Sequence, residues 1–268
     1  MTQLAPHPPL RNFYGDAARR ESFVRDLFDD TAPWYNVAIG VLSLGSGQRY
    51  RRDALLRAGL KPGDRLLDLA TGTGIVAHAA AEVTGAIVGA DASIGMLTSG
   101  RETFAKVQAT SEALPFDDAS FDFISIGFAL RHFADLHAAF RECRRVLRPG
   151  GRLLILEITA PQSRIARALL AAYMGVLVPA LMTLMTLRPR VGKMMRYYWA
   201  TTRECVRPET ILGALGDVGF DDAKRGVSLS IFSEYSARLP LPPASRADGQ
   251  SESAETRAAI SPAPPGSR

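Results

Sequence analysis

Two short stretches carry the residue types best suited to bind an adenosine-containing molecule. Residues 66–74, Leu-Leu-Asp-Leu-Ala-Thr-Gly-Thr-Gly, have the pattern of a buried strand that ends in a tight glycine turn. Asp91 lies seventeen residues after Gly74, at the end of a second apolar run. Glycines let the backbone approach a ligand closely, and an acid in that place accepts hydrogen bonds from two ribose hydroxyls. The combination predicts a cofactor site at the ends of two neighbouring strands.

The glycine turn alone leaves the cofactor undecided. Gly72-x-Gly74-x-x-Ala77 also satisfies the dinucleotide fingerprint, so a nicotinamide-dependent oxidoreductase is one alternative. Asp91 has an alternative of its own, because an acid there could instead cap a helix that starts near Ser93. The turn and the acid together favour adenosine binding over capping.

The elements that must position these residues alternate along the chain. Strands are predicted at 65–70, 86–91, 106–109, 121–127 and 152–158, and helices at 74–83, 93–104, 135–147 and 208–216. Short apolar runs that alternate with helices indicate a parallel sheet covered on both faces. Segment 223–236 is expected to add one or two edge strands, the last of them antiparallel. We therefore predict an α/β fold with a Rossmann-like, mostly parallel sheet, helices on both faces and a helical cap.

Composition indicates one folded domain with a disordered segment at each end. Residues 1–14 carry three prolines and no periodic pattern, and residues 239–268 are rich in Pro, Ser, Ala and charge. Segments of this kind bury too little apolar surface to offset the entropy lost on ordering. We predict disordered segments at 1–14 and 239–268 and one domain over 15–238, which opens with a helical pattern at 21–58.

An apolar insertion at 162–200 breaks the alternation of strands and helices. Between Ile165 and Leu187 the only charged residue is Arg167, and the length approaches that of a membrane span. Pro179 is expected to interrupt this stretch, and both flanks belong to the predicted domain. We therefore favour a helical cap over an apolar pocket. A transmembrane helix, a homodimer interface and plain core packing remain alternatives.

Overall charge and composition exclude several classes of protein. The formal net charge of +5 fits a solvated surface or, alternatively, contact with an anionic membrane surface. Basic residues do not cluster with aromatic ones, which argues against nucleic acid, and no histidine has metal-ligand spacing with acids. Two distant cysteines, Cys143 and Cys205, and the lack of an apolar leader favour a cytoplasmic location, with membrane association as the alternative.

Several stretches beyond the glycine turn resemble the class I S-adenosylmethionine-dependent methyltransferases. The matching stretches are 27–36, 66–74, 89–97, 109–121, 128–132 and 144–157. More narrowly, the Phe-Asp and Tyr-Asn pairs of the first stretch, Phe-Ala-Leu-Arg at 128–131 and Leu-Glu-Ile-Thr at 156–159 are similar to the family that C-methylates ubiquinone and menaquinone precursors. The resemblance implies that S-adenosylmethionine is the cofactor.

The same resemblance implies a set of cofactor contacts. Thr73 is expected at the amino-acid end of the cofactor, Asp91 at the ribose, and Thr110 with Ser111 at the adenine. Tyr35 is expected to close over the sulfonium, since an aromatic face attracts a cation. The complete predicted set is Tyr35, Asp68, Ala70, Gly72, Thr73, Gly74, Asp91, Thr110, Ser111 and Gly127.

Three positions depart from the family pattern. Thr110 stands where the family often has Asn or Asp, and Gly127 where it often has Ser, so two cofactor contacts are expected to be weaker or absent. His132 replaces the usual Asn after the Leu-Arg pair, and the characteristic C-terminus of the family is missing. The exact acceptor therefore does not follow from the resemblance.

Methylation of a phenolic ring needs a base, because the ring carbon becomes a good nucleophile once a neighbouring hydroxyl loses its proton. His132 is the predicted base, since neutral imidazole is available at pH 7; packing at the strand end is its alternative. The resemblance assigns Arg131 to the chemistry, to stabilise the phenolate or orient a water, with a salt bridge to a nearby acid such as Asp135 as the alternative. Glu157 either lines the same pocket or pairs with Arg152 or a helix N-terminus.

The favoured function is C-methylation of a prenylated benzoquinol or demethylmenaquinol in quinone biosynthesis, with the apolar residues 165–187 around the prenyl tail. The alternatives are methyl transfer to O, N or C of another apolar small molecule, the oxidoreductase, and a binding protein that has lost its activity. The expected partner is an apolar, quinol-like acceptor. Contact with a membrane surface and a second copy of the chain are further alternatives.

Overall fold

A seven-stranded sheet forms the centre of the structure, a computed structural model that describes residues 3–43, 47–100, 104–161 and 163–242. Its strands are β1 (Leu66–Leu69), β2 (Ile87–Asp91), β3 (Ala105–Gln108), β4 (Phe121–Gly127), β5 (Leu147–Ile158), β6 (Asp221–Ser228) and β7 (Phe232–Arg238). Their order across the sheet is β3-β2-β1-β4-β5-β7-β6. β1 to β5 are parallel to one another, and β7 is antiparallel to both of its neighbours. The predicted α/β class with a mostly parallel sheet is confirmed.

Helices follow most of the parallel strands and also precede the sheet. They are α1 (Arg11–Tyr14), α2 (Arg20–Ser43), α3 (Gly47–Ala58), α4 (Ile75–Ala80), α5 (Ile94–Ser99), α6 (Leu136–Val146), α7 (Arg164–Ala172), α8 (Val178–Thr186), α9 (Pro189–Glu204) and α10 (Pro208–Asp217). The predicted helix at 93–104 is observed only as α5, and residues 101–103 lie outside the described part of the chain. Segment 223–236 forms two strands, and the antiparallel β7 lies inside the sheet, with β6 at its edge.

Three apolar clusters hold these elements together. On one face of the sheet, α6 and α10 pack through residues such as Phe140 and Leu215. On the other face, α3 and α4 pack against β4 and β5 through residues such as Leu55 and Phe123. The third cluster joins α2, α8 and α9 around methionines that include Met182. Burial of each such side chain stabilises the fold by about 1.5–3 kcal/mol, so the cap formed by the third cluster has a core of its own.

The long apolar helix of the cap continues through a proline. A π-helical turn, Tyr173–Leu177, joins α7 to α8, so that Arg164–Thr186 is one helix of 23 residues. Pro179, which we expected to interrupt the stretch, lies in the first turn of α8, just after the π turn. Proline lacks the amide that an α-helix would use there, and a π turn shifts the hydrogen-bond register before it. The proline therefore does not end the helix; it coincides with a local change in the hydrogen-bond register.

The N-terminal segment is ordered from residue 3, which contradicts the predicted disorder over 1–14. The Leu4 amide donates to Asp135 Oδ1 at 3.1 Å, and the buried ring of His7 lies 3.3 Å from Arg20 Nη2. Leu10, Phe13 and Tyr14 pack in the third cluster. The prediction failed because it considered only how few apolar residues the segment contains. It did not consider that the folded domain offers grooves in which those residues are buried. Residues 1 and 2 lie outside the described part.

The C-terminal prediction is tested over a few residues only. Residues 239–242 are described, and Leu239 is buried with its amide donating to the Gly151 carbonyl at 2.9 Å. The rest of the predicted tail at 239–268 lies outside the described residues. The boundary at 238 remains a prediction.

Candidate active site

The turn after β1 has a left-handed backbone that its glycines permit. φ is 58° at Gly72 and 90° at Gly74, values that are strained for residues with a side chain. A β-carbon at Gly72 would also lie only 3.1 Å from Met96 Cε. Ala70 has a positive φ of 55° without being a glycine. This backbone leads directly from a buried strand to the start of α4 at Ile75.

Asp91, at the end of β2, faces this turn. Its Oδ2 accepts a hydrogen bond from the Gly72 amide at 2.8 Å, and its Oδ1 accepts one from the Ser93 amide at 2.8 Å. Burial raises the pKa of Asp91 above its usual range. Helix α5 is capped by Ser93 itself, whose Oγ accepts from the Met96 amide at 3.0 Å. Each carboxylate oxygen of Asp91 has further lone pairs, so both can accept bonds from a neighbouring diol.

Asp68 stabilises the glycine turn through hydrogen bonds that both of its carboxylate oxygens accept. Its Oδ2 accepts from Thr71 Oγ1 at 2.6 Å and from the Ala77 amide at 3.1 Å. Its Oδ1 accepts from Ser125 Oγ at 2.7 Å, which links β1 to β4. Burial raises the pKa of Asp68 to about 6. Asp68 lines the cavity as predicted for a cofactor residue, but both of its oxygens are engaged in holding the turn.

A cavity of about 980 Å³ opens over the carboxyl ends of the strands. The predicted site residues that line it are Tyr35, Asp68, Ala70, Gly72, Asp91, Thr110, Ser111, Gly127 and His132. Thr73, Gly74 and Arg131 do not line it; the Thr73 hydroxyl donates to Asn36 Oδ1 of α2 at 2.5 Å instead. Ligand pockets usually measure about 300–1,000 Å³, so there is room for a nucleoside cofactor and a second molecule.

The two ends of the cavity differ in character. Thr110 and Ser111 follow β3 and lie at the end that Asp91 also lines. Leu170, Tyr173 and Met174 line the cavity from the long helix of the cap. A polar end beside the strand termini and an apolar end under the cap suit a nucleoside and an apolar ligand respectively.

His132 lies between aromatic rings at the cavity wall. Its ring stacks on Tyr197 with centroids 5.4 Å apart and meets the edge of Phe28 at 5.2 Å. Both ring nitrogens are buried and have no hydrogen-bond partner among the described residues. Burial, with the nearby charge of Arg131, holds the pKa of His132 well below its usual range. The imidazole is therefore neutral at pH 7, and neither of its nitrogens is engaged by another side chain among the described residues.

Arg131 is fully buried behind the cavity wall, paired with Glu157. Its Nη1 lies 2.5 Å from Glu157 Oε2, and its Nε donates to Thr201 Oγ1 at 3.2 Å. The alternative that Arg131 forms a salt bridge with a nearby acid is confirmed, but the acid is Glu157 and not Asp135, so Glu157 does not pair with Arg152. Arg131 follows β4 and Glu157 is near the end of the adjacent parallel strand β5, so the sheet itself brings them together. Asp135 instead accepts from the backbone amides of His137, at the start of α6, and of Leu4.

Four residues at the cavity were not predicted. Arg20 Nη2 donates to the Arg131 carbonyl at 3.1 Å and lies beside His7, while Arg51 approaches from α3. The Tyr198 hydroxyl forms a hydrogen bond of 2.7 Å with the hydroxyl of Tyr35. His7 was missed because its segment lacks periodicity, and the others because no local pattern separates a buried cation or phenol from a surface one.

Comparison with known proteins agrees with this geometry. A model of the ubiE/COQ5 methyltransferase family matches residues 16–225. The chain is 35% identical over 231 residues to the ubiquinone/menaquinone biosynthesis C-methyltransferase UbiE of Geobacter sulfurreducens, which covers 81% of this chain and 89% of that protein. It is 40% identical over 157 residues to the demethylmenaquinone methyltransferase of Mycobacterium sp. strain KMS, over 58% of this chain and 68% of that one.

Solved structures agree on the fold. The phosphoethanolamine N-methyltransferase 2 of Haemonchus contortus, solved with S-adenosylhomocysteine, superposes with a TM-score of 0.57 and 17% identity over 81% of this chain and 60% of that one. At that identity the likeness supports the Rossmann-like fold alone. The family match extends over most of the chain and decides the cofactor, in favour of S-adenosylmethionine rather than a nicotinamide. The protein is an S-adenosylmethionine-dependent methyltransferase and belongs to the ubiE/COQ5 methyltransferase family.

Proposed function

We propose that the protein transfers a methyl group to a ring carbon of a prenylated quinol, either a demethylmenaquinol or a benzoquinol precursor of ubiquinone. The names of two relatives support this acceptor class. The observation that carries the proposal is the environment of His132, whose ring nitrogens have no hydrogen-bond partner among the described residues and which lines a cavity running from the glycine turn to the apolar cap. A base beside an apolar chamber suits a phenol with a hydrocarbon tail.

The polar end of the cavity fits the cofactor. Asp91 would accept the ribose hydroxyls beside the Gly72 amide, and Thr110 and Ser111 would contact the adenine. Tyr35 would face the sulfonium, since its phenol stays neutral and its ring can attract a cation. When bound there, S-adenosylmethionine supplies an electrophilic methyl group. The remaining steps depend on how side chains of the chain orient and deprotonate the acceptor.

His132 takes the proton of an acceptor hydroxyl. The resulting phenolate carries negative charge on the adjacent ring carbon, which forms the new C–C bond as the S–C bond breaks. The hydrogen on that ring carbon would then leave as a proton to water, and protonated His132 would return its proton to the oxygen, which restores both the aromatic quinol and the neutral imidazole. One proton is released for each methyl transferred. A positioned base of this kind contributes about 10²–10⁴-fold to the rate.

Arg131 and Glu157 support this base without facing the cavity. Their buried ion pair fixes the turn that carries His132, and the Arg131 guanidinium packs 4.5 Å over the ring of Tyr198. Arg20 lines the cavity with its Nη2 on the Arg131 carbonyl, so its positive charge lies near His132 and favours a phenolate there. We assign proton transfer to His132, charge stabilisation to Arg20, and the positioning of His132 to the pair of Arg131 and Glu157.

We also propose that the protein collects its acceptor from the surface of an anionic bilayer. The described residues include one helix, Arg164–Thr186, that is long and apolar enough to cross a membrane, and only 22% of its apolar window is buried. Its outer side exposes Ile165, Leu169 and Leu184, each more than two-thirds accessible. Patches of this kind mark interaction sites, and the inner side of the same helix lines the cavity.

The charged residues at the two ends of this helix favour an orientation in which the helix lies flat on a lipid surface. Arg164 and Arg167 are exposed at one end and Arg188 just beyond the other. Val178 and Met182 pack the helix against the third cluster, which ties it to the domain. Exposed arginines at both ends are attracted to anionic headgroups, at about 1 kcal/mol each. The face therefore matches an interfacial helix rather than a span.

The acceptor is tested with purified protein, labelled S-adenosylmethionine and, in detergent, either short-chain demethylmenaquinol or a short-chain benzoquinol that lacks the ring methyl group. We expect a product one methyl group heavier, with the new methyl on a ring carbon in its NMR spectrum. In cells that lack their own quinone methyltransferase, the chain should restore the methylated quinone. Methylation of a hydroxyl, or of another apolar compound in place of both quinols, would overturn the proposal.

The membrane surface is tested by sedimentation with phosphatidylglycerol vesicles and with phosphatidylcholine vesicles. We expect binding to the anionic vesicles, and about tenfold weaker binding for Leu169→Gln/Leu184→Gln because less apolar area enters the interface. The matched control, Leu56→Gln/Ile94→Gln, changes two exposed apolar residues on other helices. Equal effects of the two double variants, or loss of a dimer on light scattering in place of lost vesicle binding, would refute the membrane assignment.

A further inference from the structure

Arg51 is a buried cation that pairs with no carboxylate of the described residues. It is 6% exposed, its Nε is buried without a hydrogen bond, and its guanidinium lies 5.2 Å over the ring of Phe128. None of the ion pairs between described residues includes it. Burying an unpaired guanidinium is costly, and Arg51 lines the cavity, so an anion in the cavity would offset that cost.

The position of Arg51 in the cavity indicates which anion it meets. Asp91 ends β2, whereas Phe128 follows β4, and β1 with its glycine turn lies between these two strands. A cofactor whose ribose lies at Asp91 and which crosses the turn has its amino-acid end on the side of Arg51. Arg20 is the other buried arginine of the cavity, but its Nη2 already donates to a carbonyl beside His132.

We propose that Arg51 binds the carboxylate of the methionine moiety of S-adenosylmethionine. A guanidinium offers two parallel N–H donors that match a carboxylate, and a bond of this kind is strongest where water is excluded. The binding energy resides in a group far from the transferred methyl, so it holds the donor in place without depending on the acceptor. The inference rests on the cofactor of the family and not on the proposed quinol.

Calorimetry without any acceptor tests this assignment. The ligands are S-adenosylhomocysteine, its analogue lacking only the carboxylate, and 5′-methylthioadenosine, which lacks the whole amino-acid end. For Arg51→Gln we expect S-adenosylhomocysteine to bind about 10- to 100-fold more weakly, as for loss of a hydrogen-bonded charge. Affinity for 5′-methylthioadenosine should change less than about twofold, since that ligand keeps only nucleoside contacts. Arg51→Lys should keep part of the affinity.

The unmodified protein provides the second half of the test. It should bind the carboxylate-free analogue about as weakly as Arg51→Gln binds S-adenosylhomocysteine, and the variant should no longer distinguish the two ligands. Arg52→Gln, which alters the exposed neighbour paired with Glu82, is the control and should bind like the parent. Equal losses for all three ligands, or unchanged binding with a raised KM for the acceptor, would overturn the assignment. Failure of the unmodified protein to methylate a quinol would count against the proposed function and not against this assignment of Arg51.

Discussion

The two walls of the cavity are built in different ways. The sheet wall, formed by the glycine turn with Asp68 and Asp91, has polar groups that bond to one another and to the backbone. The cap wall, formed by His132 and the side chains around it, leaves polar atoms without partners. Among the described residues these include both nitrogens of His132, Oε1 of Glu157 and the hydroxyl of Tyr197.

This difference matches the ligands that each wall has to meet. A buried polar atom without a partner costs about 1–3 kcal/mol, whereas a satisfied network is rigid. The sheet wall holds its geometry before any ligand arrives, which suits a cofactor that is the same in every reaction. Of the cap-wall atoms named above, only the nitrogens of His132 belong to a residue that lines the cavity, so they are the ones that a polar acceptor ring can approach. The predictions below separate the two walls, starting with the largest effect.

Replacing His132 by Ala removes the proposed base from the cap wall. We expect kcat to fall by about 10²–10⁴-fold, because no other group takes the hydroxyl proton. The affinity for S-adenosylhomocysteine should stay within about twofold, since the sheet wall is intact. Steady-state kinetics and calorimetry measure the two effects, with His137→Ala on α6 as the control. A parallel loss of cofactor affinity would mean that His132 is structural.

Replacing Glu157 by Ala leaves Arg131 as an unpaired buried charge. Breaking a buried pair in this way typically costs about 3–5 kcal/mol of stability. Urea unfolding should show that loss. Glu204→Ala, which breaks an exposed pair with Arg203, should cost less than about 1 kcal/mol. Similar losses for the two variants would contradict the view that the cap wall depends on this pair.

Replacing Asp68 by Asn tests the sheet wall through pH. The pKa of Asp68 is about 6 in the folded protein, against about 3.9 for a free aspartate. Between these values the folded chain binds more protons than the unfolded one, so the parent loses stability, by up to roughly 3 kcal/mol, as pH rises from about 4 to about 6. The variant lacks that loss, so its free energy of unfolding relative to the parent should rise across this window. A difference independent of pH would refute this explanation.

Replacing Asp91 by Asn should have the smallest effect, about a tenfold loss of cofactor affinity from one weakened charge-assisted hydrogen bond. Because the ribose is common to S-adenosylhomocysteine and 5′-methylthioadenosine, both ligands should lose affinity equally. Calorimetry with the two ligands therefore distinguishes Asp91 from Arg51. A loss confined to S-adenosylhomocysteine would mean that Asp91 does not hold the ribose.

The sheet wall could be predicted from the sequence because its determinants are local. Residues 66–91 contain a strand, two glycines and an acid at the end of the next strand, in that order. The positive φ values of the two glycines restrict the turn to few conformations. The side-chain contacts of the cap wall could not be predicted from the sequence in the same detail. The pairing of Arg131 with Glu157 depends on the strand register, and the contact of His7 with Arg20 depends on where a segment without periodicity packs.

The ordered N-terminal segment has a practical consequence for anyone who produces the protein. Gln3, Ala5 and His7 line the cavity, so polypeptide fused ahead of residue 3 emerges at the cavity. A polyhistidine tag there would bring extra imidazoles to the cavity and could be mistaken for native chemistry. Assays are better run with the affinity handle at the other terminus or with the leader peptide removed by a protease.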